Sequence, residues 1–316
     1  MKRVATAFSS CGIFDRRACK RDKMFRNKKI LLFFLLPALV IYLLFIPAPA
    51  IISVLLSLTK WDLVGAIKFI GLENYRFLFT DDGVFGIAAR NSLVFVLASI
   101  VMQLPMAFFL ANILSRSVKG KNIFRNIIFL PVTFSGVAVA LMFYFIYQPD
   151  AGLLNQLLRL LGIKANLAWL GNENTALMAV IATLAWQWIG YHMVIYLAGI
   201  SSIPDELIDA AKIDGCSEGQ VTRHVIFPML IPVIQISLIL ITTSSLKAFD
   251  MIYIMTFGGP NHASEVLASH MYTKTFSQMK YGYGSAISTL LMLLCIFSTV
   301  IINRLFREKA ERKVRL

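Results

Sequence analysis

The chain has 316 residues, 58% of them hydrophobic, and a mean hydropathy of +0.71, which is too apolar for a water-soluble globular protein. Its net charge of +14 would suit nucleic acid, but the bases concentrate in the two tails and one loop, a distribution that fits a membrane surface instead. Cys11, Cys19, Cys216 and Cys295 show neither C-x-x-C nor zinc spacing and read as reduced, structural cysteines.

In chain order, residues 1–29 carry ten bases against Asp15 and Asp22 and read as a basic cytoplasmic tail. The run 30–59 is uncharged. Ala48-Pro49-Ala50 imitates a signal-peptide cleavage site, but the run far exceeds the roughly 7–15 residues of a signal-peptide core, so it reads as a retained first span. Further uncharged runs are 91–115, 126–149, 174–204, 224–246 and 281–303. Each reaches the ~20 residues that a spanning helix needs, and in lipid the backbone must satisfy itself as helix. The expected fold is therefore all-α, a polytopic membrane protein with six transmembrane helices over 30–303, flanked by the basic tails 1–29 and 304–316. Pro105 in the second run and Pro131 in the third are expected to kink their helices. The stretch 251–264 is apolar but too short to span, and Gly258-Gly259-Pro260 breaks it; it reads as a surface or re-entrant loop on the outer side.

The loops set the orientation. Arg116, Lys119, Lys121 and Arg125 lie between the second and third runs with no acid among them, and Arg304, Arg307, Lys309, Arg312, Lys313 and Arg315 follow the sixth. Opposite them, 60–90 balances four bases with four acids, and 150–173 balances two with two. Both termini are then cytoplasmic. By parity the polar stretch 201–232 lies on the same side.

That stretch, SSIPDELIDAAKIDGCSEGQVTRHVIFPMLIP, is the most polar internal segment. Ser202 with Asp205 reads as a capping box, with Pro204 in the first helical turn. Asp205, Glu206 and Asp209 put negative charge at the helix start, where the dipole favours it. Leu207, Ala210 and Ala211 share a face and leave a shallow surface. Gly215 is the expected stop, and Ser217 with Gln220 forms a second capping box. Two short helices lying across the membrane face follow from this pattern; an ordinary amphipathic connector fits the spacing equally well.

No G-x-x-x-x-G-K-[ST] occurs in the sequence, so the chain lacks that nucleotide-binding motif. His192, His224, His262 and His270 have no metal spacing, and His192, within the fourth run, reads as a packed histidine. Polar and aromatic residues within the runs are pathway candidates: Tyr144 and Tyr147 in the third, Trp186, Gln187, Trp188 and Tyr191 in the fourth, Lys247 and Asp250 at the end of the fifth. Aromatic belts at the membrane interface, and a structural Lys247–Asp250 pair on one helix face, are the competing readings.

Asp209-Ala210-Ala211, then Asp214-Gly215, then Pro228 resembles the EAA loop of ABC-importer permeases. The segments 196–204 (YLAGISSIP) and 249–260 (FDMIYIMTFGGP) are similar to the carbohydrate branch of that family. The resemblance covers roughly residues 30–305. It departs at Asp209, which replaces the usual Glu and shortens its reach, and at Gly219, where the family often has a bulky residue. The resemblance implies a permease subunit whose loop 201–228 couples to ATPase subunits through Asp205, Glu206, Asp209, Ala210, Ala211, Asp214, Gly215 and Pro228. It implies a second, similar permease, an ATPase dimer that binds the ATP and Mg, an extracytoplasmic substrate-binding protein and surrounding lipid. It implies no cofactor on this chain, no enzyme activity of its own, no nucleic acid and a sugar or oligosaccharide cargo. An anionic oligosaccharide or glycerol phosphate is the alternative cargo, favoured if Lys247 stands unpaired in a cavity. An ion-driven secondary carrier is the reading from another class; it would show matched halves, and none align.

Overall fold

The computed structural model describes residues 28–116, 119–163 and 166–314, in two compact units, Met1–Leu55 and Leu56–Leu316. The first holds α1 (Lys28–Phe45) and most of α2 (Pro47–Ser57). Together they supply a candidate span, Phe33–Ser57, of 25 residues, with large apolar side chains exposed all round, as a lipid-facing helix requires. Of the basic tail expected over 1–29, only Lys28 and Lys29 fall within the described residues, at the start of α1.

The second unit opens with a short antiparallel pair, β1 (Thr59–Lys60) and β2 (Lys68–Phe69), with Thr59 opposite Phe69. The helices that follow are α3 (Glu73–Thr80), α4 (Gly83–Ser115), α5 (Lys121–Phe129), α6 (Gly136–Ile146), α7 (Leu153–Leu160) and α8 (Ala176–Ser201). Then come α9 (Asp205–Ile213), α10 (Glu218–Val221), α11 (Phe227–Met229), α12 (Ile231–Leu246), α13 (Asp250–Met255), α14 (Leu267–Tyr272) and α15 (Tyr281–Val314).

Among the described residues, four helices are long and apolar enough to cross a bilayer unbroken, and six spans result if each of two bent pairs counts as one. In the third expected span, α5 and its 3₁₀ turn Leu130–Thr133 meet α6 at 97°. Pro131 sits in that turn, where its missing N–H and fixed φ favour the break. In the fifth, the segment Glu218–Met229 meets α12 at 67°, between Pro228 and Pro232. α4 runs through Pro105 as one continuous helix; neighbouring helices tolerate one lost hydrogen bond in an apolar span. Nor does α15 stop at Asn303, since it continues to Val314.

The core is built on α4 and α8. α4 buries Ala88, Ser92, Ser99, Gln103, Ala107 and Ala111 along one stripe, at four- and seven-residue spacing that keeps them on one face. Small residues there let helices approach closely, which is how membrane helices gain van der Waals contact without a hydrophobic driving force. One close approach is at Gly190 of α8, where a Cβ would lie 2.2 Å from the Ile128 carbonyl oxygen and 2.9 Å from the Phe129 Cα. Any side chain there would force α5 away. α4 is about 50 Å long at 1.5 Å per residue, so its two ends define the two ends of the bundle. One end carries Asp82 and the other carries Arg116 beside the polar stretch.

Candidate functional site: the polar loop and its surroundings

The polar stretch is a rigid cap on one end of α4 and α8. Ile203, Val221, Ile226 and Leu230 are buried in a cluster with Ala107, Ala111 and Leu114 of α4 and with Met193, Tyr196 and Ile200 of α8. At ~25 cal/mol per Å² of apolar surface, four such side chains hold the loop with several kcal/mol, enough to fix it against the bundle. Polar contacts add register. The Thr222 hydroxyl lies 3.3 Å from Asn112 Oδ1, and Glu218 stands 3.7 Å from Arg116 and 3.8 Å from Lys212. These charges are exposed, so each pair is worth ~0–1 kcal/mol. A cleft of about 520 Å³ opens beside α5, lined by Asn122, Arg125, Asn126 and Phe129, and a larger one of about 930 Å³ lies under α9, reached by Asp205, Asp209, Lys212 and Glu218.

The turn at Gly215 has the geometry that its sequence position predicts. Its φ is +85°, its N–H donates to the Lys212 carbonyl at 3.0 Å, and the Cys216 N–H donates to the Ala211 carbonyl at 3.0 Å. These two bonds form a Schellman motif, satisfying carbonyls that the end of α9 would otherwise leave bare. The second expected box is present, with the Ser217 N–H donating to Gln220 Oε1 at 2.7 Å. The first is absent. Ser202 is the C-cap of α8, and its hydroxyl donates to the Gly199 carbonyl at 2.7 Å; no side chain caps the start of α9. Pro204 is the N-cap of α9, one position before the first turn.

Asp205, Glu206, Asp209, Ala210, Asp214 and Gly215 are exposed on α9 and its stop, while Pro228 is half-buried within α11. The expected alanine face divides. Leu207, Ala210 and Ile213 point outward, Ile213 at 85% exposure, whereas Ala211 is half-buried and packs with Ile208 and Cys216 against the core. The open surface is thus Leu207, Ala210 and Ile213 among acids.

The candidate pathway cluster also divides, because neighbours in a helix point 100° apart. Gln187 is buried and donates to the Phe134 carbonyl at 3.0 Å, capping the break between α5 and α6. Tyr147 is buried too, donating to the Ala179 carbonyl and accepting from Thr183, both at 3.3 Å. These two are packing residues. Trp186, 5.1 Å from the Phe143 ring, and Trp188, 5.8 Å from Tyr191, remain part-exposed on different faces, as does Tyr144. His192 is buried, edge-on to Tyr191. Lys247 and Asp250 do not share a helix: α12 ends with Lys247 as its C-cap and α13 begins at Asp250. No ion pair within 4.0 Å joins them among the described residues.

At the opposite end of α4 lies a charged network that the sequence does not announce. Asp82 caps α4, its Oδ1 accepting from the N–H groups of Val84 at 3.1 Å and Phe85 at 3.3 Å. Its Oδ2 accepts from Tyr283 at 2.5 Å and His270 Nε2 at 2.8 Å, with Lys274 at 3.8 Å. The other ring nitrogen of His270 lies 3.2 Å from Glu265, which also contacts His262. Burial alone would push the Asp82 carboxyl up, but the hydrogen bonds from Tyr283 and His270, with the charges of His270 and Lys274, outweigh it and hold Asp82 at about 2. The Glu265 carboxyl, likewise raised by burial, is brought below its usual range by His270 and His262. A carboxylate thus lies against each ring nitrogen of His270. Asn91 adds bonds to the carbonyls of His262, Ala263 and Glu265 at 3.2, 3.0 and 2.9 Å. The segment 256–265 is thus tied into the bundle beside α4. Asp82 and His270 lie 188 residues apart, and only the N-cap position of Asp82, ahead of an apolar run, carries a local signal.

A family model for the binding-protein-dependent transport system inner membrane component matches residues 103–312. The chain belongs to that family. The matched residues hold the whole polar loop and every candidate pathway residue, while Asp82 lies before them. A probable ABC transporter permease protein, YurN of Bacillus subtilis, is 38% identical over 290 residues, which is 90% of this chain and 99% of that protein. The multiple sugar-binding transport system permease protein MsmF of Streptococcus mutans is 34% identical over 266 residues, 83% of this chain and 89% of that one. Among solved structures, a bacterial ABC transporter involved in alginate import superposes with a TM-score of 0.79 at 21% identity, over 92% of this chain and 99% of that chain; at that identity the likeness is one of fold.

Proposed function

We propose that this permease takes a sugar or oligosaccharide across the cytoplasmic membrane of a bacterium, with a second permease, an ATPase dimer that binds the ATP and Mg, and an extracytoplasmic binding protein. The observation that carries the reading is the polar loop: an exposed helix of acids and small residues, stopped at Gly215 and fixed to α4 and α8 by Ile203, Val221 and Ile226. A push on such a cap moves the long helices as rigid bodies, which is what transmission from an ATPase to a membrane cavity requires. The sugar cargo draws support from relatives named as sugar permeases and from Trp186 and Trp188, whose part-exposed rings offer faces for pyranose stacking. The basic 116–125 loop supports cytoplasmic termini and a cytoplasmic polar loop.

The test is saccharide uptake into vesicles holding the assembled complex. Uptake is expected to need ATP and the ATPase, and uptake persisting without the ATPase would refute coupling. In cells, a cysteine placed at Asn166 should label from outside and one at Asn122 should not; the reverse would overturn the orientation.

A further inference from the structure

We propose that the cargo of this permease is a saccharide bearing a carboxylate, and that Lys247 with the rings of Phe249 and Tyr272 forms its subsite; this names the substrate class within the sugar reading above. The residues line an open cleft of about 530 Å³ between the end of α12, α14 and the middle of α15, with Ser288 and Cys295 on the far wall. That volume lies in the range of small-ligand sites.

The depth of the cavity makes the lysine unusual. Cys295 is 14 residues, about 21 Å, along α15 from Tyr281, and eight residues, about 12 Å, from Asn303, which hydrogen-bonds Gln235 near the other end of α12. Lys247 therefore stands near the middle of the span. A cation at that depth is costly unless something answers it, so it marks a pathway or a ligand. No carboxylate lines the cavity. Asp250, the nearest acid in sequence, is directed elsewhere: its Oδ2 lies 3.9 Å from where a Cβ on Gly136 would be, at the start of α6. The charge that would neutralise Lys247 is thus not supplied by the described residues.

The neighbouring rings say what kind of anion fits. Phe249 and Tyr272 stand 4.6 Å apart, and both touch Tyr253, at 5.1 and 5.0 Å. The row continues through Phe257, 4.2 Å from Tyr253, and Phe276, 5.1 Å from Tyr272, whose rings are 71% and 50% exposed. A uronate ring presents an apolar C–H face and an in-plane carboxylate together. It can stack on this row while its carboxylate meets the exposed Lys247 ammonium in a charge-assisted bond. A neutral sugar would use the rings and leave the ammonium unanswered; inorganic phosphate would use the ammonium and leave the rings idle.

The experiment uses the purified complex of both permeases and the ATPase dimer without the binding protein, so that selectivity is read in the membrane. Uronate disaccharides, each with its neutral counterpart, are titrated by calorimetry, and uptake of the same pairs is measured in vesicles with the binding protein added. The wild-type complex should bind the uronates at least tenfold more tightly, with a preference that shrinks as salt rises. Lys247→Gln should abolish the preference while sparing the neutral sugars, and Lys247→Arg should keep it. Equal binding of both classes, unchanged by Lys247→Gln, would overturn this inference and leave the sugar reading standing. Loss of the second permease from the Lys247→Gln complex with no change in preference would make Lys247 an interface residue and also overturn it. Failure of either class to bind or be taken up would sink both readings.

Discussion

Replacing Gly215 by valine separates the local turn from the rest of the fold. At φ +85° the residue sits in the left-handed region, and an added Cβ would meet nothing within 4 Å. There is no clash to relieve, so the whole cost is backbone strain: about 1–2 kcal/mol for a residue with a Cβ, and more for a β-branched one. That strain competes only with the two turn bonds, from Gly215 and Cys216 to the carbonyls of Lys212 and Ala211, worth ~0.5–1.5 kcal/mol each. It does not reach the burial of Ile203, Val221 and Ile226, which holds the loop as a whole. The turn should therefore open locally while the chain inserts and assembles its spans normally. At 1.4 kcal/mol per factor of ten, ATPase association should weaken roughly tenfold for Gly215→Ala, more for Gly215→Val, and least for Gly215→Asn, since asparagine tolerates this region. Gly219 supplies the control, for a Cβ there also meets nothing within 4 Å, without a positive φ, and Gly219→Ala should leave association unchanged or improved. The assay is co-purification of the ATPase with ATP-dependent uptake in vesicles. Wild-type recovery and uptake for Gly215→Val would reduce the stretch to a connector and refute the argument.

The division of α9 predicts that Ala210→Arg blocks ATPase recovery without changing thermal stability, whereas Ala211→Arg lowers the melting temperature as well, because Ala211 packs on the core; identical behaviour of the two would contradict the assigned faces. Trp188→Ala should reduce saccharide uptake in an intact complex, while Gln187→Ala should cost about 1–3 kcal/mol by leaving the Phe134 carbonyl unpartnered, read as a drop in melting temperature. The Asp82 carboxyl, held at about 2 from an ordinary 3.8, stabilises the fold fully above pH ~4 and loses that contribution as pH falls toward 2, on the order of 2 kcal/mol. Asp82→Asn, which keeps a capping side chain but removes the charge from His270, should flatten this acid limb in a stability-versus-pH curve; an unchanged limb would place the titrating group elsewhere.

Most of the architecture is written in local patterns. Uncharged runs separated by basic or balanced loops place the spans, since a bilayer accepts only long self-satisfied helices. Pro131 and Pro228 mark both bends, and Gly215 marks the stop of α9, because proline and glycine act on their own backbone. The capping box at Ser202 was misleading for a related reason: Ser202 directly follows α8 and caps its end, while Pro204 takes the N-cap position of α9, a division set by how the chain turns at Ile203 and Pro204.

What the sequence leaves open is whatever depends on facing. Gln187 and Trp188 are adjacent and equally plausible as pathway residues, yet one is spent on the Phe134 carbonyl and the other keeps an exposed ring. Lys247 and Asp250 are spaced like an ion pair, and the break between α12 and α13 parts them. Asp82 meets His270, Lys274 and Tyr283 only because α4, α14 and α15 converge at one end of the bundle. Helical periodicity fixes which residues share a face, but in a span that is apolar all round nothing local says which face meets a neighbouring helix, lipid or a cavity. That choice comes from close packing, where small residues such as Ala88, Ser99, Ala107 and Gly190 let particular helices approach, and only the assembled tertiary structure makes it.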